Sequence, residues 1–198
     1  MPPASVLTRN LPDGVSVRPA LPSDVRRIRD LVEPYANERI LVAKEQVAYY
    51  EAVQEFLVAA VVESSEDGVP ADALVDLPDD AKPGDVVGCG ALHVMWDDLA
   101  EVRTLAVDPS WVGRGVGHAI LETLLERARA LGLSRLFCLT FEVDFFASHG
   151  FEVIQGTPVE PDVYAQLLRS HDDGIAEFLD LARVKPNTLG NTRMLLTL

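Results

Sequence analysis

The sequence is poor in cysteine and has no long apolar run. Its 198 residues include two cysteines, Cys89 and Cys138, each inside an apolar, strand-like stretch, which indicates reduced, buried thiols rather than a disulfide. No apolar run approaches the roughly 20 residues that cross a bilayer, and the first residues lack the basic start and apolar stretch of a secretory signal. We therefore expect a cytoplasmic protein with no membrane partner.

Basic residues are also scarce. The chain has 17 Lys and Arg against 31 Asp and Glu, a formal net charge of −14. Phosphate-binding surfaces need clustered positive charge, so a nucleic-acid partner is disfavoured. Acidity alone identifies no other partner, because its commonest consequence is solubility. The length, with 48% hydrophobic and 24% charged residues, favours one globular domain with a sizeable core.

The order of apolar patterns predicts an α/β (α+β) protein with a mixed central sheet flanked by helices. Helical spacing begins after Pro22-Ser23-Asp24, where Ser23 or Asp24 is the expected cap, and we expect Pro34 to end this first helix. Further helical stretches are predicted at 45–55, from Gly117 to a stop at Gly132, at 144–148 and at 163–180. Strands are predicted at 15–18, 56–63, 86–96, 99–109, 134–141, 151–155 and 193–198.

An acidic segment at 64–85 separates two of the predicted strands. It holds seven acids and one lysine, Lys82, and so contributes −6 to the net charge. Strand-type sequence resumes directly after it, which favours a loop insertion over a linker between domains. We therefore predict an N-terminal extension at 1–14 and a single domain at 15–198 that carries this insertion.

A glycine-rich loop between a strand and a helix is the most informative motif. Gly113, Gly115 and Gly117 leave the backbone bare where the amides of a helix start point outward, so the loop could hold a pyrophosphate. Such glycines are equally compatible with close helix–strand packing. The Lys-Ser/Thr of a phosphate-binding Walker loop is missing, and the alternate spacing does not fit the dinucleotide fingerprint.

Together with its flanking segments, the loop resembles the GNAT N-acetyltransferases. The resemblance is carried by Val107-Asp108-Pro109, the glycine loop with Ile120-Leu121, Phe146 to Phe151, and the opening Val17–Ala20. It implies the GNAT acyl-CoA N-acyltransferase fold and acetyl-CoA as the co-substrate. The residues expected to bind acetyl-CoA are Leu105, Ala106, Val107, Gly113, Arg114, Gly115, Val116, Gly117 and His118. Val112 departs from the Arg or Gln common at its position, but backbone amides can still bind the phosphates.

A narrower resemblance covers several further segments. Residues 40–47, 86–92, 100–109, 136–141 and 190–196 resemble the acetyltransferase domain of N-acetylglutamate synthases, especially the short actinobacterial type. This resemblance implies acetyl transfer to the α-amine of L-glutamate, the first step of arginine biosynthesis. Two alternatives stay open. One is a GNAT enzyme acting on glutamine, a small-molecule amine or a protein N-terminus, and the other is a non-catalytic acyl-CoA-binding sensor.

Glu101 is the expected general base, because it matches the position of the catalytic glutamate in the histone-modifying branch of the family. An exposed acid at a strand end is an equally good interpretation. Phe146 stands where many GNAT enzymes have a tyrosine that protonates the departing thiolate. His149 and Tyr164 are nearby substitutes, although a structural role is the simpler interpretation of each.

The two carboxylates of glutamate need local positive charge in this acidic protein. The candidate acceptor-binding residues are Lys44, Cys89, Arg103, Asn191 and Arg193. Surface ion pairs are the alternative for the three cations, a core position for Cys89 and a hairpin-shaping role for Asn191. The histidines and cysteines show no metal-ligand spacing, so no metal is expected. A homodimer is left open.

Overall fold

The computed structural model describes residues 14–38, 41, 44–62, 78, 81–181 and 190–198. The strands in these residues are β1 (Val15–Pro19), β2 (Phe56–Val61), β3 (Val86–Val94), β4 (Leu99–Val107), β5 (Arg135–Thr140), β6 (Glu152–Val153) and β7 (Thr192–Thr197). The helices are α1 (Val25–Asn37), α2 (Gln46–Glu51), α3 (Val116–Ala130), α4 (Val143–Ala147), α5 (Pro161–Leu167) and α6 (Asp173–Phe178).

The seven strands form one mixed sheet in the order β1-β2-β3-β4-β5-β7-β6. The pairs β1–β2, β2–β3, β5–β7 and β6–β7 are antiparallel. The β4–β5 pair is parallel, with Leu99–Glu101 opposite Arg135–Phe137. This architecture confirms the predicted α/β fold with helices around a mixed sheet.

Contacts between residues divide the chain into two compact units. The first contains the described residues up to Ala91 together with Thr104–Arg127, and the second contains Leu92–Arg103 and the described residues from Ala128 onward. The boundary falls within β3 and within β4, so each of these strands contributes to both units. The prediction of a single domain at 15–198 stays a prediction, and most of the acidic segment lies outside the described residues.

The first unit packs helices onto a sheet that includes one fully buried apolar strand. All six residues of β2 are buried, as its continuous apolar run predicts. Close packing of α3 depends on two glycines of β3, because a Cβ atom at Gly88 or Gly90 would lie 2.9 or 2.8 Å from the side chain of Ile120. The glycines therefore let the helix that follows the glycine-rich loop approach β3 closely.

The second unit has its own apolar core. Its buried members include Leu99, Phe137, Leu167 and Phe178, and the rings of Phe137 and Phe178 meet edge to face with centroids 5.2 Å apart. The core thus joins strands β4 and β5 to the two helices α5 and α6. This packing places α6 beside β4.

Several predicted boundaries of helices and strands were wrong. α1 continues through Pro34 to Asn37, so the proline costs one helical hydrogen bond without ending the helix. α3 begins at Val116, one residue before Gly117. The helical region predicted at 163–180 is two short helices, α5 and α6, because the Asp172 side chain starts a new helix by accepting a hydrogen bond from the Ile175 N–H.

At the start of α1, Asp24 does not have its predicted role as a side-chain cap. The residue stands at the N-terminal boundary of α1, but its carboxylate makes no side-chain cap to that helix. It accepts hydrogen bonds from the Arg18 guanidinium at 2.7 and 3.0 Å and from the Leu21 N–H at 2.7 Å. Burial alone would raise the pKa of Asp24, but these contacts outweigh it and hold the pKa below its ordinary value.

Candidate active site

The glycine-rich loop has the backbone conformation that its glycines allow. Gly113 and Gly115 have φ angles of +80° and +84°, a region that side chains disfavour. A short helical turn from Pro109 to Trp111 precedes the loop, and Asp108 caps it by accepting from the Ser110 N–H at 3.0 Å. These turns bring the chain directly into α3.

The start of α3 presents backbone amides that can bind an anion. The Ala119 N–H donates to the Gly115 carbonyl at 3.0 Å, and in α-helices generally the N–H groups of the first turn lack an acceptor within the helix. In this turn Val116 is buried and His118 is exposed. A helix of 15 residues also carries a positive partial charge at this end. The predicted phosphate-binding residues therefore lie at a helix N-terminus, a position that favours anion binding.

The end of β4, in the same unit, is held from outside the strand. The Tyr35 hydroxyl donates to the Val107 carbonyl at 2.6 Å. Thr104 has a φ angle of +58°, which is strained for a β-branched residue and kinks the strand before Leu105. The predicted pantetheine-binding residues Leu105 to Val107 thus lie between a kink and a side-chain hydrogen bond.

Cys89 lies under this kink and is fully buried. Its Sγ is 3.7 Å from the Thr104 carbonyl oxygen, to which the thiol donates. Burial raises the pKa of the Cys89 thiol to about 12, so it stays protonated. The structure places Cys89 in the core, as support for β4, and its predicted role in acceptor binding stays a prediction.

In the second unit, Glu101 and Arg103 are brought together with two residues that sequence reasoning missed. Glu101 is 5% exposed, and its Oε2 lies 3.7 Å from Arg103 Nη1. Arg103 Nη1 donates to Asp172 Oδ2 at 2.9 Å, and His93 Nε2 lies 3.7 Å from the same oxygen. The proposed base and one proposed acceptor-binding cation therefore belong to one charged cluster, with Asp172 as a second carboxylate.

The first turn of α6 packs directly on Glu101. A Cβ atom at Gly174 would lie 2.7 Å from Glu101 Cδ and 3.0 Å from Oε1. Only a glycine leaves room for the carboxylate here. Glu101 is therefore a buried residue held by a neighbouring helix, which excludes the alternative of an exposed acid at a strand end.

Asn191 and Arg193 lie at and beside the start of β7. Arg193 Nη2 donates to the carbonyl oxygens of Gly156, at 2.8 Å, and Phe178. Burial lowers the pKa of Arg193, and the charge of Asp180 partly offsets this effect. Within the described residues, Arg193 Nε and Asn191 Oδ1 are buried without a hydrogen-bond partner. One nitrogen of Arg193 is thus used structurally, and the acceptor-binding role of the two residues stays a prediction.

The remaining predicted residues have simpler surroundings. Lys44 is exposed and lies just before α2. Phe146 is buried and meets Phe145 and Phe151 edge to face, with each centroid distance 5.2 Å. Its ring is therefore a core residue. The His149 ring lies 5.3 Å from that of Phe145.

Tyr35, His93, Asp172 and Gly174 are the functional candidates that sequence reasoning missed. The segment Ser170-His171-Asp172-Asp173-Gly174 carries the signal of a helix start, which could have identified Asp172 as a cap but not its partner Arg103. Tyr35 lies beyond Pro34, where the helix was expected to have ended.

Residues 29–151 match the profile of the Acetyltransferase (GNAT) family. The match covers more than half of the chain and includes the glycine-rich loop. The protein therefore belongs to the GNAT acetyltransferase family and is an acetyltransferase, which confirms the resemblance.

Two relatives of this chain are amino-acid acetyltransferases. An amino-acid acetyltransferase from Mycobacterium tuberculosis is 54% identical over 182 residues, which cover 92% of this chain and 94% of that protein. An amino-acid acetyltransferase from Pseudomonas fluorescens is 32% identical over 138 residues, which cover 69% of this chain and 27% of that protein. The chain thus resembles the first relative over nearly its full length and the second over one part of a longer protein.

Solved structures agree with these relationships. Rv2747 from Mycobacterium tuberculosis, whose crystal structure contains CoA and a second ligand, superposes with a TM-score of 0.77 at 52% identity over 92% of this chain and 98% of that one. The N-acetylglutamate synthase of Neisseria gonorrhoeae superposes with a TM-score of 0.66 at 22% identity over 93% of this chain and 35% of that one, which supports the fold alone.

Within the described residues, no helix is long and apolar enough to span a membrane. No group of three or more His, Cys, Asp and Glu side chains in the same part of the chain is arranged to hold a metal ion.

Proposed function

We propose that the protein transfers the acetyl group of acetyl-CoA to the α-amine of L-glutamate and thus makes N-acetylglutamate for arginine biosynthesis. The observation that carries this proposal is the glycine-rich loop at the start of α3, in a chain 54% identical to an amino-acid acetyltransferase. Rv2747, with its bound CoA, supports the same acyl donor.

The acyl donor binds through backbone groups. The amides from Gly113 to His118 receive the pyrophosphate of CoA, because a helix start offers both N–H donors and a favourable dipole. The backbone of Leu105, Ala106 and Val107 holds the pantetheine arm and polarises the thioester carbonyl, as an oxyanion hole does. Neither task needs net positive charge, so an acidic protein can bind an anionic co-substrate.

The acceptor binds through a few local cations. Lys44, Arg103 and Arg193 are the candidates for its carboxylates. Asn191 adds a polar atom, and Cys89 is the fifth residue that the resemblance implies. Arg193 and Asn191 support this role because each has a buried polar atom without a protein partner in the described residues.

The chemistry needs a base, and Glu101 supplies it. Glu101 takes a proton from the acceptor ammonium, the neutral amine attacks the thioester carbonyl, and the C–S bond breaks to release the CoA thiolate. The nitrogen loses a second proton as the amide forms, and the thiolate gains a proton to become the CoA thiol. Phe146 cannot protonate the thiolate, so water or another side chain does so. The position of Glu101 supports its role, because its buried carboxylate lies beside Arg103, one of the cations proposed to bind the acceptor.

An acceptor screen tests the proposed substrate. Purified protein is mixed with acetyl-CoA and single amino acids or amines, and released CoA is measured. We expect release with L-glutamate, and a decrease in kcat of about 10²-fold or more for Glu101→Gln with unchanged CoA affinity. Exposed Glu126 provides the matched control, Glu126→Gln. CoA release with glutamine or another amine, but not with L-glutamate, would show that the acceptor is not L-glutamate. CoA binding without turnover on any acceptor would indicate a sensor.

We also propose a cytoplasmic location for the enzyme. Cys89 and Cys138 are buried free thiols, which supports a reducing, cytoplasmic location. A single domain at 15–198 and a homodimer also remain proposals. Limited proteolysis would test the first, and sedimentation of the purified protein would test the second.

A further inference from the structure

The carboxylate of Asp172 uses its two oxygens for two separate contacts. Oδ1 accepts from the Ile175 N–H at 3.1 Å and so caps α6. Oδ2 accepts from Arg103 Nη1 at 2.9 Å. The first contact is local and common at helix starts, whereas the second joins the start of a helix to the middle of β4.

Arg103 lies between two carboxylates and is hydrogen-bonded to only one of them through this nitrogen. Nη1 is 2.9 Å from Asp172 Oδ2 but 3.7 Å from Glu101 Oε2, which exceeds hydrogen-bonding distance. Glu101 and Arg103 are two residues apart on one strand and so share a face of the sheet. The Arg103 side chain is 13% exposed, so solvent screens these charges weakly.

We propose that Asp172 is a positioning residue that acts on Glu101 through Arg103. It binds the guanidinium and keeps it from closing onto Glu101. This inference rests on the proposed function, in which Glu101 accepts the proton of the acceptor amine. A direct hydrogen bond from Arg103 would stabilise the ionised carboxylate and weaken it as a base. Asp172 therefore preserves the basicity of Glu101 while leaving the cation in place for the acceptor.

The groups around the two carboxylates are consistent with this role. Burial raises the pKa of Asp172, but the hydrogen bond and charge of Arg103, the Ile175 amide and the charge of His93 outweigh it, so the pKa lies below its ordinary value. On the side of β5, burial and the charge of Glu101 raise the pKa of the Cys138 thiol. The buried Glu177 lies about one turn after Gly174 in α6. The contacts of Asp172 thus favour its ionised form, which is the form that binds Arg103.

The substitution Asp172→Asn separates the two contacts. Asparagine caps a helix as well as aspartate does, so the bond to the Ile175 amide is retained. Its amide nitrogen cannot accept a hydrogen bond from Arg103, so the guanidinium is released toward Glu101. Asp173→Asn is the matched control, because Asp173 is the next residue, is exposed and undergoes the same change in charge. Asp172→Ser, which also keeps a capping oxygen, serves if the asparagine variant fails to fold.

The pH profile of kcat/KM for L-glutamate, or for the amine that the screen identifies, is the measurement. We expect Asp172→Asn to lower the midpoint of the acid limb by about one pH unit and kcat by about tenfold, with the KM for acetyl-CoA unchanged. Asp173→Asn should retain the wild-type profile. In an Arg103→Gln background, Asp172→Asn should have no further effect on the midpoint.

Three outcomes would overturn the inference. One is an acid limb that does not move, another is an equal shift in Asp173→Asn, and the third is an equal shift with and without Arg103. The proposed acceptor fails separately, at the wild-type protein, if glutamate releases no CoA. A wild-type protein that transfers acetyl to no acceptor would overturn both, because Glu101 would then have no proton to accept.

Discussion

The Tyr35 hydroxyl donates a hydrogen bond of 2.6 Å to the carbonyl oxygen of Val107. Tyr35 lies in the last turn of α1, and Val107 is the final residue of β4. The bond occupies the carbonyl and so fixes the orientation of the peptide group at the end of the strand. Burial, the largest effect, raises the pKa of Tyr35, so the phenol stays a donor at neutral pH.

We expect Tyr35→Phe to weaken CoA binding about fivefold, the equivalent of about 1 kcal/mol for one hydrogen bond. The physical reason is that the Val107 peptide loses the contact that orients it toward the pantetheine arm. Calorimetric titration with CoA measures the effect. Tyr50→Phe is the matched control, because Tyr50 is 41% exposed. Equal CoA affinity in the two variants would contradict the expectation.

Elements whose cause is local could be predicted from the sequence. The continuous apolar run of β2 predicted a buried strand, and the glycines at 113 and 115 predicted a loop with a bare backbone before a helix. Gly150 has the positive φ angle of +88° expected at the exit of α4. In each case neighbouring residues determine the conformation, so a pattern of a few positions is sufficient.

Contacts between distant residues could not be predicted in this way. Asp172 and Arg103 are 69 positions apart, and Tyr35 and Val107 are 72 apart. Nothing near Asp172 indicates that its second oxygen will meet a guanidinium. The continuation of α1 past Pro34 is a related failure, because the turn after the proline is held by the contact of Tyr35 with β4 and not by local preference.

The glycine-rich loop gives a prediction with an internal control. Gly113 and Gly132 have φ angles of +80° and +79°, and a Cβ atom at either position would have no neighbour within 4 Å. A residue with a side chain loses about 1–2 kcal/mol in the left-handed backbone conformation. Gly113→Ala and Gly132→Ala should therefore lower the free energy of unfolding by similar amounts. Gly113 precedes α3 and Gly132 follows it.

Only Gly113→Ala should weaken CoA binding, by about tenfold, because strain at the start of α3 moves the amides that receive the pyrophosphate. Urea unfolding of both variants verifies that their stabilities match, and titration with CoA measures the difference. If the two variants bound CoA alike, the pyrophosphate would have to lie away from this loop.

The contact of Asp24 with Arg18 predicts a pH-dependent contribution to stability. The pKa of Asp24 is lower in the folded protein than in the unfolded chain, so its contribution is present above the unfolded pKa, near 4, and is lost as the pH falls through the folded value. At pH 7 we expect Asp24→Asn to lower the free energy of unfolding by about 2 kcal/mol.

Urea unfolding between about pH 7 and pH 2.5 measures this contribution, and the gap between the wild type and Asp24→Asn should narrow as the pH falls below about 4. Asp30→Asn is the control, because Asp30 is half exposed and its contact with Arg29 is long, at 3.3 Å. A gap that stayed constant over this pH range would show that the ion pair is not its cause.

The close approach of Gly174 to Glu101 gives the last prediction. In Gly174→Ala, the new methyl group would lie 2.7 Å from Glu101 Cδ, so either α6 or the carboxylate must move. We expect overpacking to lower the free energy of unfolding by about 1–3 kcal/mol and kcat to fall with the displaced base. Asp173→Ala, which changes an exposed residue of the same turn, should have neither effect.

A second substitution distinguishes a steric cause from a general weakening of α6. Glu101→Asp shortens the side chain by one methylene and makes room for the methyl group that Gly174→Ala introduces. The double variant Gly174→Ala/Glu101→Asp should therefore be more stable in urea than Gly174→Ala alone, although its kcat should stay low because the carboxylate has withdrawn from the acceptor. Additive losses of stability in the double variant would contradict a direct contact between the two residues.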